Sequence, residues 1–188
     1  MLDFDIEADD LERVSKELGA TTKEIRISYN RALTRTAATL RKLSSKGLQS
    51  HLGLARAAAI RRRMKTLRIK GQGGMNQVRL WYGLNDLPVS EFKGRITAGS
   101  TGGASYSGPA GGERFPGGWA GNSRYARKRT IMERVGGSRL PIREAKMPVK
   151  DRADVFVEDE VFWKLTDIFW RHFRTDLERR VNYLRASA

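Results

Sequence analysis

Apolar residues near the start of the chain recur at helical spacing. Leu11, Val14 and Leu18 share one helix face, Asp9 or Asp10 can cap it, and Gly19 ends it. Thr21 or Thr22 caps a second helix, with Glu24 in its first turn to complement the helix dipole. Ile25, Tyr29, Leu33, Thr36 or Ala37, Leu40, Leu43 and Leu48 then trace one long stripe, interrupted near Gly47. These helices fill residues 1–50. A shorter basic helix is predicted over 54–65, where Ala and Arg, both good helix formers, dominate.

The period then changes from helical to alternating. Leu67 and Ile69 alternate with Arg68 and Lys70, Gln72-Gly73-Gly74 reads as a turn, and Val78, Leu80 and Tyr82 alternate with Arg79 and Trp81. Another strand is expected within 89–98. Residues 99–121 are so rich in Gly that ordering them costs much conformational entropy, and the expectation is a loop without a packed core. Phe115 and Trp119 stand out within it; each either docks on a partner or folds back on its own sheet. Two apolar runs, 130–135 and 140–142, flank Gly136-Gly137-Ser138, a hairpin signal because Gly accepts the backbone that tight turns require. The β region thus spans 66–149. From 151 to 185, Val157, Val161, Leu165, Ile168 or Phe169, His172 or Phe173, Leu177, Val181 and Leu184 trace the stripe of a single C-terminal helix, widened by Trp163 and Trp170. At 188 residues one domain is the default.

Charge sharpens this picture. The net charge is +15, which implies a polyanionic partner or a place inside an assembly that holds one. Residues 1–24 carry eight acids against three bases, whereas 25–85 carry fourteen Lys and Arg and no acid. The basic faces of the second helix are therefore either solvated or set against a polyanion or an acidic subunit. Arg61, Arg62 and Arg63, with Lys65, Arg68 and Lys70, form the densest cluster, and Arg61, Arg62, Arg63 and Lys65 are its contact candidates; Arg127, Lys128 and Arg129 form a second. Cysteine is absent, so disulfides and thiolate metal sites are excluded. The acidic N-terminus is unlike a signal peptide, and the apolar runs are far short of a membrane span. A soluble chain made and used without secretion is expected.

Little of the sequence suggests catalysis. His172 lies on an apolar stripe, where a hydrogen-bonded boundary histidine is expected, and His51 sits at a helix end, where capping is expected. Nucleophile-elbow, zinc-protease, phosphate-loop and dinucleotide fingerprints are all absent. The acids Asp151, Asp154, Glu158, Asp159 and Glu160 are explained by a helix start and solubility, and no pair is singled out for hydrolysis. No enzyme, cofactor or metal is expected. Zinc-finger, homeodomain and aromatic RNA-binding signatures are also missing, so any nucleic-acid contact would be to backbone phosphates.

The order of features resembles a known family. Two helices, the basic helix with Arg61-Arg62-Arg63, GLNDLPV at 83–89, a Gly-rich insert, IMERVGGSRLPIREAKMPV and a last helix ending LERRVNYLRA are similar to minor tail protein Z of lambda-like siphophages. Ile131, Arg134, Gly136, Arg139, Pro141, Ile142 and Pro148 match the family's pattern of strand, Arg, Gly turn, Arg-x-Pro-Ile and later Pro. The insert at 99–121 departs from it, being richer in Gly and poorer in Lys and Arg.

The resemblance implies a structural virion protein. Such a tail completion protein sits at the head-proximal end of the tail, in head–tail joining, and helps hold the genome end. It implies an α+β fold, with long N-terminal and C-terminal helices packed on a mainly antiparallel sheet or sandwich. The protein would be made in the host cytoplasm and located in the virion. The implied partners are copies of itself in a ring, commonly of six, the tail terminator, the tail tube and neck or head-completion proteins. The phage DNA end would be met without sequence specificity, and no membrane is implied. The alternative is a free, sequence-independent nucleic-acid-binding protein.

Overall fold

The computed structural model describes residues 8–99, 102–123 and 128–186. Its architecture is α+β, with long helices toward both ends and small antiparallel sheets between them. The chain divides into two compact units. The first draws on the described residues within Met1–Leu43, Met64–Tyr82 and Glu160–Ala188; the second comprises Ser44–Arg63 and Gly83–Asp159.

Helix α1 (Ala8–Leu18) ends where predicted. Gly19, at φ 63°, donates its N–H to the Lys16 carbonyl while Ala20 donates to Ser15, the paired bonds of a Schellman cap. Helix α2 (Thr22–His51) opens with a capping box. The Thr21 N–H donates to Glu24 Oε2 at 2.6 Å, and the Glu24 N–H donates to Thr21 Oγ1 at 3.4 Å. Hydrogen bonding to the carboxyl from the Thr21 N–H, then from the Thr21 side chain, holds Glu24 below its ordinary pKa. The expected interruption at Gly47 does not occur. There the missing side chain leaves room for the Phe156 ring, which a Cβ would overlap. The helix ends instead at Gly53, φ 64°, with Gly53 and Leu54 donating to Ser50 and Gln49. Capping by His51 is not seen; its ring packs on Phe156 with centroids 5.0 Å apart.

The core of the first unit gathers Leu11 and Val14 of α1, Ala32 and Leu33 of α2, and Phe169, Phe173, Leu177 and Val181 of the last helix. Phe169 stacks on Phe173 at 5.8 Å and meets Tyr29 and Trp170 edge-on. Burying each such ring contributes about 1.5–3 kcal/mol. The first unit also holds a two-stranded ribbon, β1 (Met64–Ile69) and β2 (Gln77–Tyr82), with Lys65 opposite Trp81 and Arg68 opposite Val78. Val78 and Met75 pack against the helical core. Asn30 fastens the connecting turn to α2: its amide donates to the Gly74 carbonyl at 2.8 Å, and its oxygen accepts the Asn76 N–H at 2.9 Å.

The basic helix predicted over 54–65 shrinks to one turn, α3 (Ala58–Arg61). Leu54 bridges Phe92, Ala55 donates to the Glu91 carbonyl, and Met64 is already paired with Tyr82. These tertiary pairings outweigh the helix propensity of Ala and Arg. The strand expected within 89–98 divides in the same way. Short β3 (Leu87–Pro88) leads into a single helical turn, and β4 (Arg95–Ala98) follows.

In place of the loop expected, the described residues 102–121 of the Gly-rich insert lie largely in strands. Strands β5 (Ala104–Gly108) and β6 (Gly111–Phe115) join β4 in one antiparallel sheet. Strand β7 (Trp119–Asn122) joins β8 (Arg129–Arg134) and β9 (Ile142–Glu144) in another. The inward residues Ala104, Tyr106 and Phe115 supply a core that the composition conceals. The Tyr106 ring crosses Gly94 and Gly108 and donates its hydroxyl hydrogen to the Lys93 carbonyl. Close approach, not mobility, is what those glycines allow.

The hairpin predicted around Gly136 is β8–β9, with Arg134 opposite Ile142 and Gly136 at φ 82°. Behind it, Glu144 accepts hydrogen bonds from Thr130 and from the Ser90 N–H. Strand β10 (Lys146–Met147) pairs with β3. The C-terminal helix is two helices, α4 (Lys150–Glu160) and α5 (Leu165–Ala186). A tight turn at Phe162–Lys164 separates them and sets Phe162 edge-on to Tyr82 at 6.2 Å.

Candidate polyanion interface

Strand alternation sorts the basic residues of the first unit onto two faces. Lys65, Leu67 and Ile69 share the outer face of the ribbon with Trp81, Arg79 and Gln77; Met64, Thr66 and Arg68 share the inner one with Tyr82, Leu80 and Val78. On the outer face Leu67 is 50% and Trp81 46% exposed, and Lys65 Nζ lies 5.6 Å from the Trp81 ring centroid. That cation–π contact keeps the ammonium over an aromatic plane while both remain accessible.

The inner face forms one wall of a trough of about 470 Å³, with α2 as the other wall. Asn30, Arg31, Thr34 and Arg35 of α2 face Arg68 and Val78 across it. Behind the helix lies Asp176, almost fully buried, with Oδ1 3.8 Å from Arg31 and 3.4 Å from Arg35. Its Oδ2 lies 3.6 Å from Arg180. One carboxylate thus faces three guanidiniums, and all three pairs are longer than charge-assisted hydrogen bonds. One turn before Asp176 on α5, His172 Nε2 stands 3.4 Å from Thr39 Oγ1. Burial, then Arg35 and Arg171, hold this histidine below its ordinary pKa.

The residues singled out in the sequence are divided between the two units. Arg61 and Arg62 end α3 and are exposed, and both belong to the second unit, as does Arg63. Arg63 Nη1 donates to the Asn85 carbonyl at 2.9 Å and holds the 83–86 segment. Lys65 belongs to the first unit. In the second cluster Arg127 lies outside the described residues, Arg129 is exposed, and Lys128 turns inward. The Lys128 ammonium lies 3.4 Å from the Ser90 carbonyl and 3.9 Å from Glu91.

Phe115 is buried and folds back on its own sheet, which removes it as a docking residue. Trp119 is 37% exposed, its ring 6.0 Å from the Arg134 guanidinium. In α4, Asp151 lies in the first turn and Asp154 pairs with Lys150 at 2.8 Å. Among the described residues no three His, Asp or Glu side chains converge as a metal site would require. No described helix is long and apolar enough to cross a membrane.

The trough went unrecognised in the sequence, although Arg31, Arg35 and Arg68 were visible there as basic residues. The available signal was parity: Arg68 is one residue out of step with Lys65, so the two must face opposite ways. Comparison with protein-family models, with characterised proteins and with solved structures returns no match for this chain.

Proposed function

We propose that the chain is a structural virion protein, a tail completion protein at the head-proximal end of a siphophage tail. In this reading copies assemble as a ring between the tail tube and terminator on one side and neck or head-completion proteins on the other. The genome end is met through phosphate contacts alone. The reading draws on the resemblance at 83–89 and 131–148. The observation that supports its chemistry is the acid-free segment 25–85, whose Arg61, Arg62 and Lys65 are exposed. Phosphate contacts without base readout need only such a surface.

The test is complementation of a phage lacking this gene by Arg61→Gln/Arg62→Gln/Lys65→Gln, with Arg63 kept because it anchors the 83–86 segment. Infectious yield should fall while the purified variant melts like the parent. Normal yield would refute the reading. The alternative, a free sequence-independent nucleic-acid-binding protein, is supported by the Lys65–Trp81 pair on the ribbon, since an aromatic plane beside a cation suits stacked bases and phosphates. It requires salt-sensitive duplex binding by the isolated protein and no defect in tail completion.

A further inference from the structure

The trough between α2 and the ribbon is chemically distinct from the surface clusters. Its basic residues come from two elements and converge on a concave space, whereas Arg61 and Arg62 are adjacent on one short turn. Arg31 and Arg35 stand at i,i+4 on α2, where like charges repel. Asp176 offsets this from behind but leaves each guanidinium most of its five donors. Arg68 has no acid partner among the described residues. Asn30 closes one end of the trough by tying down the turn that precedes β2.

From this arrangement we infer that the trough is an oxyanion site that takes phosphate groups, of a nucleic-acid backbone or of a free oligophosphate. Planar guanidiniums present paired N–H donors that match phosphate oxygens. A water molecule occupies about 30 Å³ in the liquid. A trough of 470 Å³ therefore holds more than one phosphate with its hydration. Leu33 and Val78 add apolar lining beside guanidiniums that stay accessible, with Arg31 58% and Arg35 48% exposed, so phosphate can reach them and the contacts are salt-sensitive. The inference deepens the polyanion reading above by adding a second, better-formed contact site, and it can fail without that reading failing.

The experiment is calorimetric titration of the full chain with tripolyphosphate and with a short mixed-sequence duplex, alone and in competition. Three proteins are compared: the parent, Arg68→Gln, and Arg61→Gln/Arg62→Gln. Arg68→Gln should weaken tripolyphosphate binding about tenfold, the loss of one charge-assisted contact. Arg61→Gln/Arg62→Gln should leave it unchanged. Arg68→Lys, which keeps charge but not the fork, should recover part of the loss and controls for folding. If tripolyphosphate displaces the duplex, and Arg68→Gln lowers the duplex salt slope by about one, backbone phosphate is the ligand. If tripolyphosphate binds but the duplex is neither bound nor displaced, the ligand is a free oligophosphate and the nucleic-acid part of the proposed function falls. No tripolyphosphate binding by the parent, or equal binding by parent and Arg68→Gln, overturns the site.

Discussion

The two units are held together in opposite ways. In the helical unit large side chains fill the space between elements, and Phe169, Phe173 and Leu177 are all fully buried. In the sheet unit, backbone and side chains come close where a glycine lacks a side chain, at Gly47 against the Phe156 ring, Gly108 against Tyr106 and Gly118 against an Ile131 methyl group. The first arrangement is sensitive to losing volume and the second to gaining it. The contrast also separates the chemistry. The helical unit can set a concave site between rigid elements, whereas most of the sheet unit's exposed cations lie on turns and strand ends.

The strongest way to break this contrast is Phe169→Ala. It removes a ring in contact with Tyr29, Trp170 and Phe173 and should cost about 3–5 kcal/mol in urea unfolding. A loss below about 1 kcal/mol would mean that the helical core is not close-packed. Next comes Gly108→Ala, normally a mild substitution. Here the new methyl would overlap the Lys93 carbonyl and the Tyr106 hydroxyl, and about 1–3 kcal/mol should be lost. Trp119 is the one tryptophan of the sheet unit, so the fluorescence change that Trp119→Phe abolishes isolates that unit's transition. An unchanged transition in Gly108→Ala would remove the distinction between the units.

Thr21→Ala tests the helical unit more gently. It deletes the hydroxyl that accepts the Glu24 N–H, leaves the reciprocal bond to Glu24 in place, and should cost about 1 kcal/mol. Thr21→Ser should restore most of it. Equal stability of parent and Thr21→Ala would mean that the capping box does not contribute to this helix.

The helical unit was also the legible one. The stripes of α1, α2 and α5 lie in the sequence at helical spacing, and the chemistry of Gly19 and Thr21–Glu24 marks two helix ends locally. What escaped depended on partners distant in the chain. Nothing near Gly47 announces Phe156. Nothing in the run around Arg61 says that Leu54 will bridge Phe92 and cut the helix to one turn. The insert misled for a related reason: its glycines read as entropy, and only Tyr106 crossing Gly94 and Gly108 shows that they make room for a ring. The β8–β9 hairpin was readable because its signal is local, a Gly-Gly turn between apolar runs. The trough required knowing that Asn30 would hold the ribbon's turn against α2, a contact spanning more than forty residues.

The smallest expected effect is a pH dependence confined to one unit. His172 is half-buried beside Arg35, and desolvation, then Arg35 and Arg171, lower its pKa in the folded protein from 6.5. Below about pH 6.5 the unfolded chain therefore binds more protons at this position than the folded chain does. Its contribution to stability is fully present above that pH and is lost as pH falls toward the folded value. Melting temperature should decline from pH 7 to 5.5, and His172→Gln should flatten part of that decline. Solvent screening of a half-buried ring keeps the effect small. Because His172 and Thr39 both belong to the helical unit, the Trp119-reported transition should keep the same pH profile in parent and variant. A changed Trp119 profile would mean that the units share their stability, and the contrast drawn between their cores would then describe packing but not separate unfolding.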